Sequence, residues 1–222
     1  MLTRIDHVAI GVADLVAGIA AYTRIGFEVD ERGVARTDGD HLQFVLGSEG
    51  LQSIALASDD LAADSAAVRA RGSVDWVRLA KNNGQPASWH PNRVQRIERA
   101  YIAVTDVAAS AAHYARVLGL PAPKMERGTV INADMAIFQL GPTALGLAQP
   151  NAPGVCADAL ARRGPGPFQI LYRTRSMDAA AKWMADHGLP PPARGIRNTG
   201  EQAMLVMPEH ACGVYIGFVG PE

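Results

Sequence analysis

The chain has 222 residues, a formal net charge of −1 and 48% hydrophobic residues, which suffices for one or two domains with a sizeable core. The near-neutral charge gives no electrostatic basis for binding nucleic acid or an anionic membrane surface. Two cysteines without metal-ligand spacing, no signal-like N-terminal segment and no apolar run approaching ~20 residues together favour a cytoplasmic protein.

A repeated pattern organises the chain from its first residues onward. Each repeat has an alternating strand, then a residue that can cap a helix, then an amphipathic helix that ends at glycine. The four repeats begin RIDHVAIG, GLQSIALAS, RIERAYIA and PFQILYRT, and their helices end at Gly26, Gly72, Gly119 and Gly188. The same position of the pattern is occupied by His7, Ser53, Arg99 and Gln169. The expected caps are Asp14, Asp60, Asp106 and Ser176.

The segments that follow each helix favour further strands and give a βαβββ pattern. These segments are 27–29, 33–37 and 42–46 in the first repeat, 124–131, 135–140 and 144–148 in the third, and 193–197, 203–207 and 214–219 in the fourth. The second repeat is degenerate, because only 74–79 follows its helix before the loop-like KNNGQPASWHPN. We therefore predict an α+β fold with two halves, residues 1–94 and 95–222.

Particular motifs carry a family resemblance. DHVAIGVADL with AYTRIGF, and LGLAQPNAPGVCADALARRGPGPFQILYRTRSMDAAAKWMADHGL with MPEHACGVYIGFV, resemble the glyoxalase / bleomycin-resistance / extradiol dioxygenase superfamily, also called vicinal-oxygen-chelate proteins. The second half is similar to a methylmalonyl-CoA epimerase-like domain and the first half to a looser glyoxalase-like group. The resemblance implies curled mixed sheets built from paired βαβββ units, with cup-like cavities inside and helices outside.

The resemblance also implies where metal ligands would lie, on the first and last strands of each repeat. In the first half those positions hold His7 and Gln43, while Ser53 replaces a histidine. In the second half they fall on Arg99, Gly146, Gln169 and Gly217. Arginine carries a charge that repels a cation and has no lone pair to give, and glycine has no side chain. We therefore expect no metal cofactor, and keep a divalent metal held by His7 and Gln43 as the alternative.

Strand alternation predicts which side chains share a face with these positions. In the second half the expected ligand-binding side chains are Arg99, Tyr101, Gln169, Arg173 and Tyr215. Arg99 would then be a fixed positive charge that binds a carboxylate, enolate or phosphate through paired hydrogen bonds. The competing structural interpretation pairs Arg99 with an acid of the same chain, namely Glu98, Glu126 or Asp134.

The sequence thus predicts a protein that binds a small organic anion in a metal-free cup with Arg99 as the anchor. No general base is recognisable, so catalytic residues stay unassigned. One alternative is a metal-dependent glyoxalase-, epimerase- or dioxygenase-like enzyme using His7 and Gln43, which would be a lyase, an isomerase or a dioxygenase. Another is a resistance-type protein that sequesters an aromatic drug. The expected partner is a small molecule, with no nucleic acid and no membrane. A homodimer, and pairing of repeats within or between chains, are left open.

Overall fold

The computed structural model describes residues 1–82 and 86–221. Within them lie five α-helices, α1 (Leu15–Ile25), α2 (Leu61–Arg71), α3 (Val107–Leu118), α4 (Val155–Arg163) and α5 (Met177–Asp186), and a short 3-10 helix at Pro208–His210. The strands are β1 (Leu2–Val12), β2 (Val34–Arg36), β3 (His41–Leu46), β4 (Gly50–Ser58), β5 (Val77–Lys81), β6 (Val94–Ala103), β7 (Lys124–Gly128), β8 (Ala133–Leu140), β9 (Thr143–Pro150), β10 (Gly166–Thr174), β11 (Ala193–Ile196), β12 (Gln202–Val206) and β13 (Tyr215–Val219). Parallel and antiparallel pairs both occur, so the predicted α+β fold with mixed sheets is confirmed. None of the helices in the described ranges is long and apolar enough to cross a membrane.

The predicted helix caps are confirmed. The side chains of Asp14, Asp60, Asp106 and Ser176 accept hydrogen bonds from the backbone N–H groups of Ala17, Ala63, Ala109 and Ala179. Each cap satisfies a donor that the first turn of a helix cannot pair internally. Gly26 and Gly119 end their helices in the left-handed conformation, with φ of 97° and 67°, which glycine adopts without a steric penalty.

Two predicted strands are wrong, and one helix was missed. Residues 27–29 form no strand, because the Phe27 N–H donates back to the Tyr22 carbonyl at 3.0 Å and so takes part in the turn that closes helix α1. The strand predicted at 74–79 begins at Val77, since Trp76 has a positive φ of 60°. Helix α4 was not predicted, and it lacks the start signal of the others, because Gly154 offers no side chain to cap it. Of the predicted interdomain loop, residues 83–85 lie outside the described residues.

The chain divides into two compact units, each made of three segments. Compact unit 1 comprises Met1–Asp6, Ser53–Asn83 and Arg99–Phe168. Compact unit 2 comprises His7–Gln52, Gly84–Glu98 and Gln169–Glu222. Compact unit 1 therefore collects most of the second and third repeats, and compact unit 2 most of the first and fourth. The linear halves 1–94 and 95–222 do not coincide with these units and stay a prediction about the sequence repeat.

Compact unit 1 contains the strand order β6-β9-β8-β7 and the separate pair β4-β5. Strand β6 runs parallel to β9, with Arg99 opposite Ala144 and Tyr101 opposite Gly146. Strands β8 and β9 and strands β7 and β8 are antiparallel. One edge of this sheet therefore carries Lys124 and Glu126 on β7, and Glu126 pairs with Arg99 as described below.

Compact unit 2 contains the strand orders β2-β3-β1 and β11-β12-β13-β10. Its helix-side core is an aromatic cluster in which the Phe27 ring lies 5.0 Å from Tyr172 and 6.2 Å from Phe218. Tyr22 on α1 completes the cluster at 5.7 Å from Phe27. All four side chains are almost fully buried. Because side chains alternate along a strand, the neighbours of Tyr172 and Phe218 project to the other face, which carries the predicted site residues.

Candidate functional site

Two histidines, His7 on β1 and His41 on β3, lie side by side in compact unit 2. Strand β1 runs parallel to β3 in a register that places His7 directly opposite His41. Their rings stack with centroids 4.8 Å apart and an interplanar angle of 22°. Asp6 precedes His7 in β1, so the strand itself fixes their relative position. Ligand atoms of Asp6, His7 and His41 all lie within 4.8 Å of one another.

This donor set fits a divalent metal. Two imidazoles and one carboxylate are a common ligand set for zinc and for non-haem iron, and they leave coordination positions open. Metal–nitrogen bonds of about 2.0–2.1 Å place tetrahedral ligand atoms about 3.4 Å apart. Donor atoms within 4.8 Å would therefore approach one another by at most about 1.4 Å on binding, which half-buried imidazoles can do by rotation.

The register explains which ligand the sequence missed. Gln43 lies opposite Ala9, one step along the same face from the stacked rings. His41, two residues before Gln43 in HLQFVL, stands next to His7 instead. The alternation of HLQFVL places both side chains on one face, but the register between two parallel strands depends on tertiary structure, and no motif in the sequence gives it.

Arg99 on β6 is held by an acid of its own chain. The Arg99 Nη1 lies 3.1 Å from Glu126 Oε2, and the side chains are 14% and 21% exposed. Lys124 also reaches Glu126, with Nζ 3.0 Å from Oε1. Burial lowers the pKa of Arg99, but Tyr101 and Glu126 outweigh it and the net shift is upward. Of the three acids considered in the sequence, Glu126 is the one that pairs, and the guanidinium is permanently charged.

At Gly146 and Gly217, a neighbouring side chain occupies the space that a larger residue would fill. A Cβ on Gly146 would lie 2.5 Å from Tyr101 Cδ1, and a Cβ on Gly217 would lie 2.7 Å from Leu171 Cδ1. The positions where the family resemblance places metal ligands are thus occupied by a phenol ring in compact unit 1 and by an aliphatic side chain in compact unit 2.

Gln169 and Tyr215 lie opposite each other on the parallel pair β10 and β13. They are 3% and 2% exposed. The amide oxygen of Gln169 is buried and has no hydrogen-bond partner among the described residues. An unpaired buried amide oxygen is costly, so this atom is positioned to accept a hydrogen bond from a water molecule or a ligand.

Arg173, the remaining predicted ligand-binding residue, belongs to an ion network. Its guanidinium makes two hydrogen bonds to Glu98, at 2.7 and 2.8 Å, and also contacts Glu201. Arg197 bonds the same two carboxylates at 3.2 and 2.9 Å. Arg96 lies 3.6 Å from Glu98. Burial raises the pKa of Glu98, but the bonds and charges of Arg173 and Arg197 outweigh it, and the net pKa lies below its ordinary value.

The predicted site residues are divided between the two compact units. Arg99 and Tyr101 belong to compact unit 1, whereas Gln169, Arg173 and Tyr215 belong to compact unit 2 together with His7 and Gln43. The two arginines are paired with carboxylates, and the histidine stands beside a second potential ligand.

Comparison with known families assigns the fold. Residues 99–206 match the model of the Glyoxalase/Bleomycin resistance protein/Dioxygenase superfamily. This match covers just under half of the chain, and it confirms the resemblance stated from the sequence. No curated protein is similar enough to count as a relative.

Solved structures share the fold at low sequence identity. Methylmalonyl-CoA epimerase from Mycobacterium tuberculosis matches with a TM-score of 0.52 and 23% identity, over 59% of this chain and 90% of that one. A mutant of 4-hydroxymandelate synthase from Streptomyces coelicolor matches with a TM-score of 0.73 and 11% identity, over 100% of this chain and 93% of that one. A Streptomyces coelicolor methylmalonyl-CoA epimerase in complex with 2-nitronate-propionyl-CoA matches with a TM-score of 0.50 and 24% identity, over 58% of this chain and 98% of that one. At identities this low, the structural similarity shows a shared fold only, and the chemistry has to be inferred from the residues of the site.

Proposed function

We propose that the face of β1 and β3 around His7 and His41 binds a divalent metal and presents it to a small oxygen-bearing molecule. The observation that carries this proposal is the grouping of two imidazoles and a carboxylate with all ligand atoms within 4.8 Å. The sequence favoured a metal-free cup because arginine and glycine hold ligand positions in the second half, and because Ser53 replaces an expected histidine in the first. His41 supports the metal-bound alternative, because it provides the second imidazole from a different strand.

The residues on this face would have two roles, metal binding and hydrogen bonding to the small molecule. His7, His41 and Asp6 would hold the ion, which supplies a Lewis acid for an oxygen of the bound molecule. Gln43 lies one step along the same face, where its amide can hydrogen-bond a second oxygen of that molecule. This arrangement suits the lyase, isomerase or dioxygenase chemistry that the superfamily resemblance implies.

The test measures metal binding directly. Metal-stripped protein is dialysed against Zn²⁺ or Mn²⁺ at low micromolar concentration, and the bound metal is counted by elemental analysis. The expected result is one ion per chain, with affinity at least tenfold weaker in His7→Ala and in His41→Ala. His187→Ala is the matched control, because His187 is exposed and stacks on Trp183. Absence of bound metal, or equal affinity in all four proteins, overturns the proposal.

A second candidate function is binding of a small organic anion at Arg99 in compact unit 1. It is favoured by the excess of positive charge there, since Arg99 and Lys124 share the single carboxylate of Glu126. Tyr101, which raises the pKa of Arg99 through its hydrogen bond and charge, provides a phenol beside the guanidinium. The drug-sequestering alternative stays a prediction from the sequence.

The anion candidate is tested by thermal unfolding with a series of small carboxylates. Ligands that bind the native state raise the melting temperature, and at a given concentration the tighter ligand raises it more. We expect a rise for the wild-type protein and none for Arg99→Ala. Glu126→Gln removes the competing carboxylate and should increase the rise. An unchanged melting temperature with every acid in both wild type and Glu126→Gln contradicts this candidate.

A further inference from the structure

A pocket of about 370 Å³ opens in compact unit 2, and none of the predicted site residues lines it. Its lining includes Trp89, Arg93 and Arg175, with Asp38 and Gln95 beside them. Trp89 is 61% exposed, which is unusual for so large an apolar side chain. The volume lies at the low end of the ~300–1,000 Å³ typical of ligand pockets, so a single-ring molecule is the right size.

Arg93 is held in a conformation that arginine rarely adopts. Its φ is 57°, in the left-handed region, where a side chain with a Cβ is strained. The Arg93 N–H donates to the His90 carbonyl at 2.9 Å, and the Arg93 carbonyl accepts from the Arg175 N–H at 3.0 Å. The backbone therefore fixes both arginines next to each other at the pocket, although a glycine or asparagine would relieve the strain.

The two guanidinium groups are also left uncompensated. No ion pair joins either Arg93 or Arg175 to a carboxylate in the part of the chain that the structure describes. The Arg93 guanidinium carbon lies 5.2 Å from the centroid of the Trp89 ring, so a cation and an aromatic face are presented together. Asp38 is the one carboxylate among the lining residues, which leaves the lining with a net positive charge.

The histidine of the pocket is structural. His90 is 2% exposed; its Nδ1 accepts from the Glu28 N–H at 2.9 Å, and its Nε2 lies 2.8 Å from the Arg36 carbonyl oxygen. Burial lowers the pKa of His90, so the ring is neutral near pH 7. Its role is to anchor the backbone beside Trp89 and Arg93, and the pocket's charge comes from the arginines.

We infer that this pocket binds a small aromatic anion: a ring that stacks on Trp89 and carries a carboxylate or phosphate held by Arg93 and Arg175. The planar guanidinium fork matches either headgroup by paired hydrogen bonds. Stacking on an exposed indole selects a flat ring over an aliphatic chain. This site is separate in residues from the His7 and His41 pair, so it binds its ligand with or without metal.

The test is isothermal titration of the full chain, stripped of metal, with five probes. Phenyl phosphate and benzoate carry both ring and charge, inorganic phosphate and acetate carry charge alone, and benzyl alcohol carries the ring alone. The expected result is binding of phenyl phosphate, benzoate or both, at least tenfold tighter than that of the other three probes. The tighter of the two identifies the headgroup. Affinity should fall as salt is raised, because the charges are exposed.

Variants assign the binding to this pocket. Arg93→Gln and Arg175→Gln should each weaken it at least tenfold, Trp89→Ala should abolish the advantage of the ring, and Trp89→Phe should retain it. Arg69→Gln is the matched control, since Arg69 is an exposed arginine on α2. Melting curves confirm that each variant is folded. The inference is overturned if neither aromatic anion binds at concentrations up to about 10 mM, which corresponds to very weak affinity. Equal affinity in Arg93→Gln, Arg175→Gln and wild type also overturns it.

Discussion

Glu98 is the centre of the ion network in compact unit 2, and replacing it with glutamine tests how that network stabilises the fold. Glu98 is bonded by Arg173 through two nitrogens and by Arg197 through one, and its side chain is only 13% exposed. Glu98→Gln keeps the shape and removes the charge. Arg173 and Arg197, which are 21% and 12% exposed, would then share Glu201 alone.

The size of the effect follows from this partial burial. Exposed ion pairs contribute about 0–1 kcal/mol, whereas removing one partner of a buried pair costs about 3–5 kcal/mol. Glu98 lies between these limits, so we expect Glu98→Gln to lower the free energy of unfolding by about 2–3 kcal/mol. The exposed pair of Lys182 and Asp186 on α5 is the matched control, and Asp186→Asn should cost no more than about 0.5 kcal/mol.

The pH dependence gives the sign of the effect. The pKa of Glu98 is lower in the folded protein than its ordinary value, which is about 4.3 in an unfolded chain. Its contribution is therefore complete above about pH 4.3 and is lost as the pH falls through the folded value. Urea unfolding between pH 7 and pH 3 measures this, and the gap between wild type and Glu98→Gln should narrow at the acid end. A variant as stable as wild type at pH 7, or a gap that persists undiminished at pH 3, refutes the reasoning.

Substitutions at three further positions test local features, each by urea unfolding at pH 7. Asp106→Ala removes the cap that accepts from Ala109 at 2.9 Å and should cost about 1 kcal/mol; no loss would mean that water replaces the cap. Gly146→Ala forces a Cβ to within 2.5 Å of the Tyr101 ring and should cost about 1–3 kcal/mol, and a neutral result would show that the ring moves freely. Arg93→Gly should be more stable than Arg93→Ala by about 1 kcal/mol, because only glycine relieves the positive φ at low cost; the reverse order would show that this backbone is unstrained.

The features that the sequence predicted correctly are local ones. Asp14, Asp60 and Asp106 each precede an alanine-rich run, and a cap needs only the three residues that follow it. The strand predicted at 27–29 is wrong because Phe27 is not part of a strand: its ring packs in the core among Tyr22, Tyr172 and Phe218. A buried aromatic side chain after a helix has the same appearance in sequence as a short strand.

The features that escaped prediction depend on contacts between distant segments. The alternation of β3 placed His41 and Gln43 on one face, but only the parallel register shows that His41 is the one opposite His7. Three acids were candidates for pairing with Arg99. Only the tertiary structure, which brings Glu126 on β7 within 3.1 Å of the Arg99 guanidinium, shows which of them pairs. Arg93 and Trp89 lie in a loop-like segment without periodicity, so the sequence carried no signal of their pocket.

The most direct test of the metal proposal is anomalous X-ray scattering from crystals grown with Zn²⁺, recorded on both sides of the zinc absorption edge. The account predicts a single strong peak beside His7 and His41, about 2.0–2.1 Å from one ring nitrogen of each. A peak elsewhere on the chain with the His7 and His41 rings still stacked, or no peak at all, would contradict it.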